Sequence, residues 1–143
     1  MPVYPYGVHS MVCTVERCAV ATVNPLLVPS TLPYGLPDFS AIRDEHVMPA
    51  LQEALRRHKA EIDTIAHDPT TPTAMNTVVA LEQSGQDLSR VVGYFYTVAG
   101  ADATDERLRI EGEISPLLAQ HTDDMYMNAD LFSRICLLYT SPS

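Results

Sequence analysis

Val78, Leu81, Gly85, Leu88, Val92, Phe95 and Ala99 return at steps of 3, 4, 3, 4, 3 and 4. That period puts all of them on one face of a helix, whereas a strand would spread them over both faces. Val47, Leu51, Leu55, His58, Ile62 and Ile65 make a second row, at steps of 4, 4, 3, 4 and 3. Two such rows commit the chain to helices that each bury one face. The fold class expected is all-α: an antiparallel bundle of long helices, preceded by a proline-rich extended strap.

Local signals place the ends. Asp44 and Glu45 open the first helix, where negative charge complements the dipole, and Pro49 is tolerable only in that first turn. Asp68-Pro69 closes it. Thr73 is the expected N-cap of the second, in "PTTPTAMNTVVALEQSG", although Asn76 stands where a capping box prefers Glu or Gln. Gly85 costs about 1 kcal/mol against alanine in a helix interior, so it marks either close approach of another helix or a local break. A third helix is expected from Thr104, with Asp105 and Glu106 in its first turn and Gly112 and Pro116 bending or interrupting it. A fourth starts near Asn128 or Asp130 with Leu131, Phe132 and Ile135 as its apolar face, and its pattern fades after about two turns.

Pro25, Pro29, Pro33 and Pro37, spaced by four, rule out a helix before this point. The segment between them is rich in Leu and Val, so it is expected to lie across a surface it helps to bury. Residues 1–23 show no sustained periodicity and read as a poorly ordered leader. The closing "CLLYTSPS", residues 136–143, reads as a truncated or artefactual tail.

At 143 residues, 46% hydrophobic and 19% charged, the chain suits one globular unit. A formal charge of −9 and the lack of a basic stripe argue against nucleic acid. No apolar run is long enough to span a bilayer. Cys13, Cys18 and Cys136 do not form a structural zinc pattern and fit a reducing compartment, so cytoplasm is the expected location.

The search for chemistry returns no assigned catalytic, cofactor or metal residue. His9, His46, His58, His67 and His121 contain no H-E-x-x-H arrangement. His58, on its apolar row, reads as a packing histidine beside Glu61. Asp44-Glu45-His46 is explained by a helix start, and His121 with Asp124 by a solvated contact one turn apart. Ser84-Gly85 lacks the G-x-S-x-G elbow and its strand. Of Tyr94, Phe95 and Tyr96, the phenylalanine belongs to the core row and the tyrosines to a helix edge.

The order of segments is more telling than their type. "NPLLVPSTLPYGLPDFSAIRDEHVMPALQEAL", "PTTPTAMNTVVALEQSGQDLSRV" and "ISPLLAQHTDDMYMNADLFSRI" together resemble the N-terminal region of the thimet oligopeptidase family of zinc metallopeptidases. Within it the resemblance is strongest to the bacterial dipeptidyl carboxypeptidase (peptidyl-dipeptidase) branch, with oligopeptidase A next. Its most distinctive pieces are Met48-Pro49-Ala50-Leu51, Asn76-Thr77 followed by Ala80-Leu81-Glu82, and Asn128 with Leu131-Phe132. It covers residues 24–135, taken as the N-terminal helical region of a larger helical metallopeptidase.

The resemblance implies a much longer parent enzyme that cuts short, unfolded peptides. Helices of this region would form one wall of a substrate channel. A catalytic half elsewhere would bear H-E-x-x-H and a later glutamate on zinc, with the motif's glutamate as general base. None of those positions has a counterpart here, so the fragment alone is expected to be inactive and to need that missing half as its partner. The competing reading is a self-contained acidic helical interaction module without enzymatic activity. A third, a metal-binding bundle, would need His46, His58 and an acid to converge.

Overall fold

The computed structural model describes residues 23–140, and among them there are helices and turns but no strand. The expected leader, Val23 aside, lies outside the described residues, as do His9, Cys13, Cys18 and residues 141–143.

The strap is less irregular than its prolines imply. Short 3-10 turns form at Pro25–Leu27 and Pro33–Gly35, each with proline at its first position, where the missing amide donor is not needed. Asn24 ties the strap down: its side-chain oxygen accepts from the Leu26 amide (3.0 Å), and its Nδ2 donates to the His46 carbonyl (2.7 Å). Leu26 is fully buried, but Val28, Leu32 and Leu36 stay exposed, so only the front of the strap covers the core.

A tight turn at Asp44–His46 leads into α1 (Val47–Ala66). Val47, Ala50, Leu51, Ala54 and Ile62 are its buried residues, with the alanines letting neighbouring elements come close. α1 is the central element and touches each of the other helices.

Thr73 caps the next segment, and here the expectation from sequence needs correcting. The box is complete: the Thr73 amide donates to Asn76 Oδ1 (2.7 Å), and the Asn76 amide donates to Thr73 Oγ1 (3.2 Å). An asparagine carbonyl oxygen accepts as a glutamate would; only its reach is shorter. A widened π turn over Ala74–Val79 runs into the short α2 (Ala80–Gln83).

Of the two outcomes open at Gly85, the chain takes the break. Gly85 has φ +69°, in the left-handed region, and α3 (Gln86–Ala101) starts after it. The break resets the helical phase, so the row read as continuous is two faces. Val78 is exposed, and α3 buries Val91, Tyr94 and Phe95.

α4 (Asp105–Tyr126) has Thr104 as N-cap, its hydroxyl accepting from the Arg107 amide at 3.3 Å. Of the two outcomes expected at Gly112 and Pro116, interruption does not occur: α4 runs on through both. Proline crowds the carbonyl four residues back, which here is that of Gly112. Both residues are exposed, so the strained turn faces solvent and can tilt outward, while Ile110 and Ile114 hold the buried side.

α5 (Ala129–Thr140) is longer than the fading pattern implied and takes in Cys136 to Thr140. Asn128 caps it, accepting from the Leu131 amide at 3.0 Å. Phe132 points outward at 64% exposure, and the buried positions of α5 are Leu131 and Arg134. Leu26, Leu51, Val91, Phe95, Ile110 and Ile114 form one core shared by the strap, α1, α3 and α4. Outside this core, large apolar residues stay exposed on the strap (Tyr34, Leu36), at Met75 and Leu108, and at the α4–α5 end (Tyr126, Met127, Phe132, Tyr139).

Candidate functional site

An apolar recess lies where α1, α2, α4 and α5 meet. It is a cavity of about 400 Å³, walled by Leu81, Met125, Leu131 and Ile135 and carrying His58 and Ser84 on its polar side. The break at Gly85 makes this geometry. It ends α2 at Gln83, leaves Ser84 extended, and brings the Gly85 backbone down on the His58 ring. A side-chain carbon at Gly85 would lie 3.0–3.1 Å from three His58 ring atoms. The Gly85 amide donates to Glu61 Oε2 at 2.7 Å, which fixes the loop to α1.

Around His58 the polar hydrogens form a one-way chain. The Ser84 hydroxyl donates to the Leu81 carbonyl (2.7 Å), so its oxygen can only accept from His58 Nε2, 3.1 Å away. His58 Nδ1 is then the acceptor for His121 Nε2–H on α4, at 2.9 Å, with the ring centroids 4.9 Å apart. Both imidazoles titrate below their ordinary range. For His58 burial is the first cause and the His121 charge the second, with Glu61 opposing. For His121 it is burial, with Asp124 opposing and Lys59 assisting.

A second polar knot sits on α5. Arg134 is buried at 5% exposure. Its Nε donates to Thr77 Oγ1 (3.1 Å), its Nη1 to the Asp68 carbonyl (2.6 Å), and its Nη2 to Asp68 Oδ2 (3.1 Å). It locks the loop after α1 to the capped turn and to α5, with every buried side-chain polar atom among the described residues satisfied.

The candidates suggested by the sequence scatter. His46 turns inward to its own cap, accepting the Arg43 amide at 3.1 Å, and Asp44 takes Arg107 Nε at 3.2 Å. His46 and His58 lie about three turns apart on one helix axis, about 18 Å by helical rise, so they do not converge as the metal-bundle reading required. Tyr94 is buried in the core against Phe39, ring centroids 5.6 Å apart, and only Tyr96 occupies a helix edge. His121 faces His58 in addition to the expected neighbour Asp124. That pairing spans 63 residues, and no local spacing announces it. Arg134 has no place among those candidates either; its one signal is a cation at the i+3 position from Leu131, within an apolar face.

Zinc in a peptidase needs at least three nitrogen, sulfur or carboxylate ligands and an open position. Among the described residues no three His, Cys, Asp or Glu side chains gather in that way. His58 and His121 use their facing nitrogens on each other. The described residues do not fit a catalytic zinc. Nor is any described helix long and apolar enough to cross a membrane.

Fold and site thus define a class: an all-α region, tightly cored, with a histidine-walled recess but without a hydrolytic constellation among the described residues. No family profile matches the chain. Sequence relatives make the placement specific. The chain is 42% identical over 116 residues to the dipeptidyl carboxypeptidase of Escherichia coli K12, a match covering 81% of this chain and 17% of the relative. It is 42% identical over 114 residues to that of Salmonella typhimurium LT2, covering 80% of this chain and 17% of the relative. The chain is therefore related to one stretch of the bacterial dipeptidyl carboxypeptidases, about a sixth of their length.

Proposed function

We propose that this chain is the N-terminal helical region of a zinc-dependent peptidyl-dipeptidase, residues 24–135, and forms one wall of its substrate channel. The 42% identity over 116 residues carries this reading. It is supported by the all-helical core and by a recess whose apolar lining suits peptide side chains better than phosphate or sugar. The substrates are short unstructured peptides, shortened by dipeptides from the carboxyl end. The zinc, its ligands and the general base belong to a separate catalytic half. Cytoplasm is the compartment that fits the sparse cysteines.

On this reading the purified chain releases no dipeptide from short peptides, with or without added zinc. Product analysis by mass spectrometry checks this, and zinc-dependent release that survives inhibitor controls for contaminating peptidases contradicts it. Sequencing the gene beyond the codon for Ser143 is the companion test. An in-frame continuation encoding H-E-x-x-H supports the reading.

A second reading, a self-contained acidic interaction module, draws on one observation: Tyr126, Met127, Phe132 and Tyr139 are 76%, 84%, 64% and 81% exposed along α4 and α5. A confirmed stop codon directly after Ser143 favours it over the peptidase.

A further inference from the structure

We propose that the His58–His121 pair is a proton-operated latch between α1 and α4, which stays shut with one added proton and opens on the second. The hydrogen-bond chain dictates the count. In the neutral state each hydrogen is used once, from His121 Nε2 to His58 Nδ1, from His58 Nε2 to Ser84, and from Ser84 to the Leu81 carbonyl. Among the described residues His121 Nδ1 has no hydrogen-bond partner. A first proton therefore enters there, leaving every bond in the chain with its direction unchanged. The only remaining ring lone pair is that of His58 Nδ1, which holds the latch. A second proton there sets N–H against N–H across 2.9 Å and places two positive charges in contact.

Nearby carboxylates offset part of the added charge, but among the described residues none is hydrogen-bonded to either of the two facing nitrogens. On α1, Glu61 already accepts from the Gly85 amide, and Lys59 adds positive charge towards His121. Asp63 of α1 and Asp124 of α4 line the outer recess beside His121, and Glu82 of α2 lines the inner cavity with His58. α5 brings Leu131, Phe132 and Ile135 to that cavity and no titratable group. The His58 ring cannot swing aside on its inner face, because Gly85 lies against it. With His58 held on that face, relief by separation of α1 and α4 widens the cavity that His58 and Ser84 help to wall.

The depressed titration of both rings agrees with this. Because the folded chain binds these protons less readily than the unfolded one, the latch contributes fully above the ordinary histidine value of 6.5. Its contribution falls as pH drops below that value.

The test is a titration of the 143-residue chain from about pH 8 to about pH 4, reading the imidazole carbon and nitrogen shifts of both residues. Hydrogen exchange of the α4 amides near His121 is followed in parallel and corrected for intrinsic pH dependence. The latch requires two coupled steps, with α4 exchange rising by up to about tenfold per unit fall in pH across the lower step only. In His121→Gln, His58 is expected to titrate in a single step and that rise to disappear. Gly85→Ala, which displaces the His58 ring, is expected to open α4 already at neutral pH. Independent titration of the two rings, or α4 exchange that ignores the second proton, overturns the proposal. Should neither variant fold, the wild-type record decides alone by the same criteria.

Discussion

Arg134 is the residue on which the C-terminal half of the fold turns. Its guanidinium is buried at 5% exposure and spans Thr77, the Asp68 backbone and the Asp68 carboxylate. A planar group with donors on three nitrogens reaches these separated partners in one fixed fork, where a lysine would offer a single nitrogen. Asp68 is held below the usual carboxylate range first by the Thr70 hydroxyl, then by the Thr70 amide, with Arg134 a smaller contributor. The arginine's contribution is thus mainly to the buried hydroxyl and carbonyls it satisfies. Arg134→Met keeps the stem's packing and strands those acceptors, for an expected loss of about 2–3 kcal/mol. Urea unfolding checks this; a loss below about 0.5 kcal/mol would show the knot to be dispensable. Beyond its place three residues after Leu131 in an apolar face, nothing local in the sequence announces Arg134, because its partners lie 57 to 66 residues away.

At the scale of elements, starts were legible and continuity was not. Thr73 and Thr104 cap where their hydroxyls, set against following acids or an amide, said they would. Such signals are local, and a cap's partner is only three residues away. Gly85 and Pro116 carry the same helix-breaking chemistry, yet the chain breaks at one and runs through the other. The difference is tertiary: Gly85 is pinned between Glu61 and the His58 ring, whereas Pro116 lies on an open face. α1 offers an element-level prediction. Arg56 and then Arg57 donate to Glu53 and bring its carboxyl down to about 2. A carboxylate depressed in the folded state stabilises above its ordinary value of 4.5 and loses that contribution as pH falls towards about 2. Glu53→Gln is therefore expected to flatten the acid limb of stability over that window. Parallel limbs for variant and parent, in urea midpoints measured along the series, would contradict the assignment.

For the whole molecule, the strap, α1, α3 and α4 close around one continuous core. Large apolar residues stay exposed both on the strap, at Val28, Leu32, Tyr34, Leu36 and Phe39, and at the α4–α5 end, at Tyr126, Met127, Phe132 and Tyr139. The candidate site was legible only as an absence of motif, since its two histidines meet through folding and not through spacing. The proposed link to peptide hydrolysis rests on the chain's relation to about one sixth of the bacterial dipeptidyl carboxypeptidases. The most direct measurement is a transplant. Residues of this chain that match the Escherichia coli enzyme replace their counterparts in it, and dipeptide release is assayed on the zinc-loaded chimera. A folded chimera that keeps dipeptide release within about tenfold of the parent in kcat/KM is the result expected. A folded, zinc-loaded chimera with no detectable release would contradict the assignment of this chain to the wall of that enzyme.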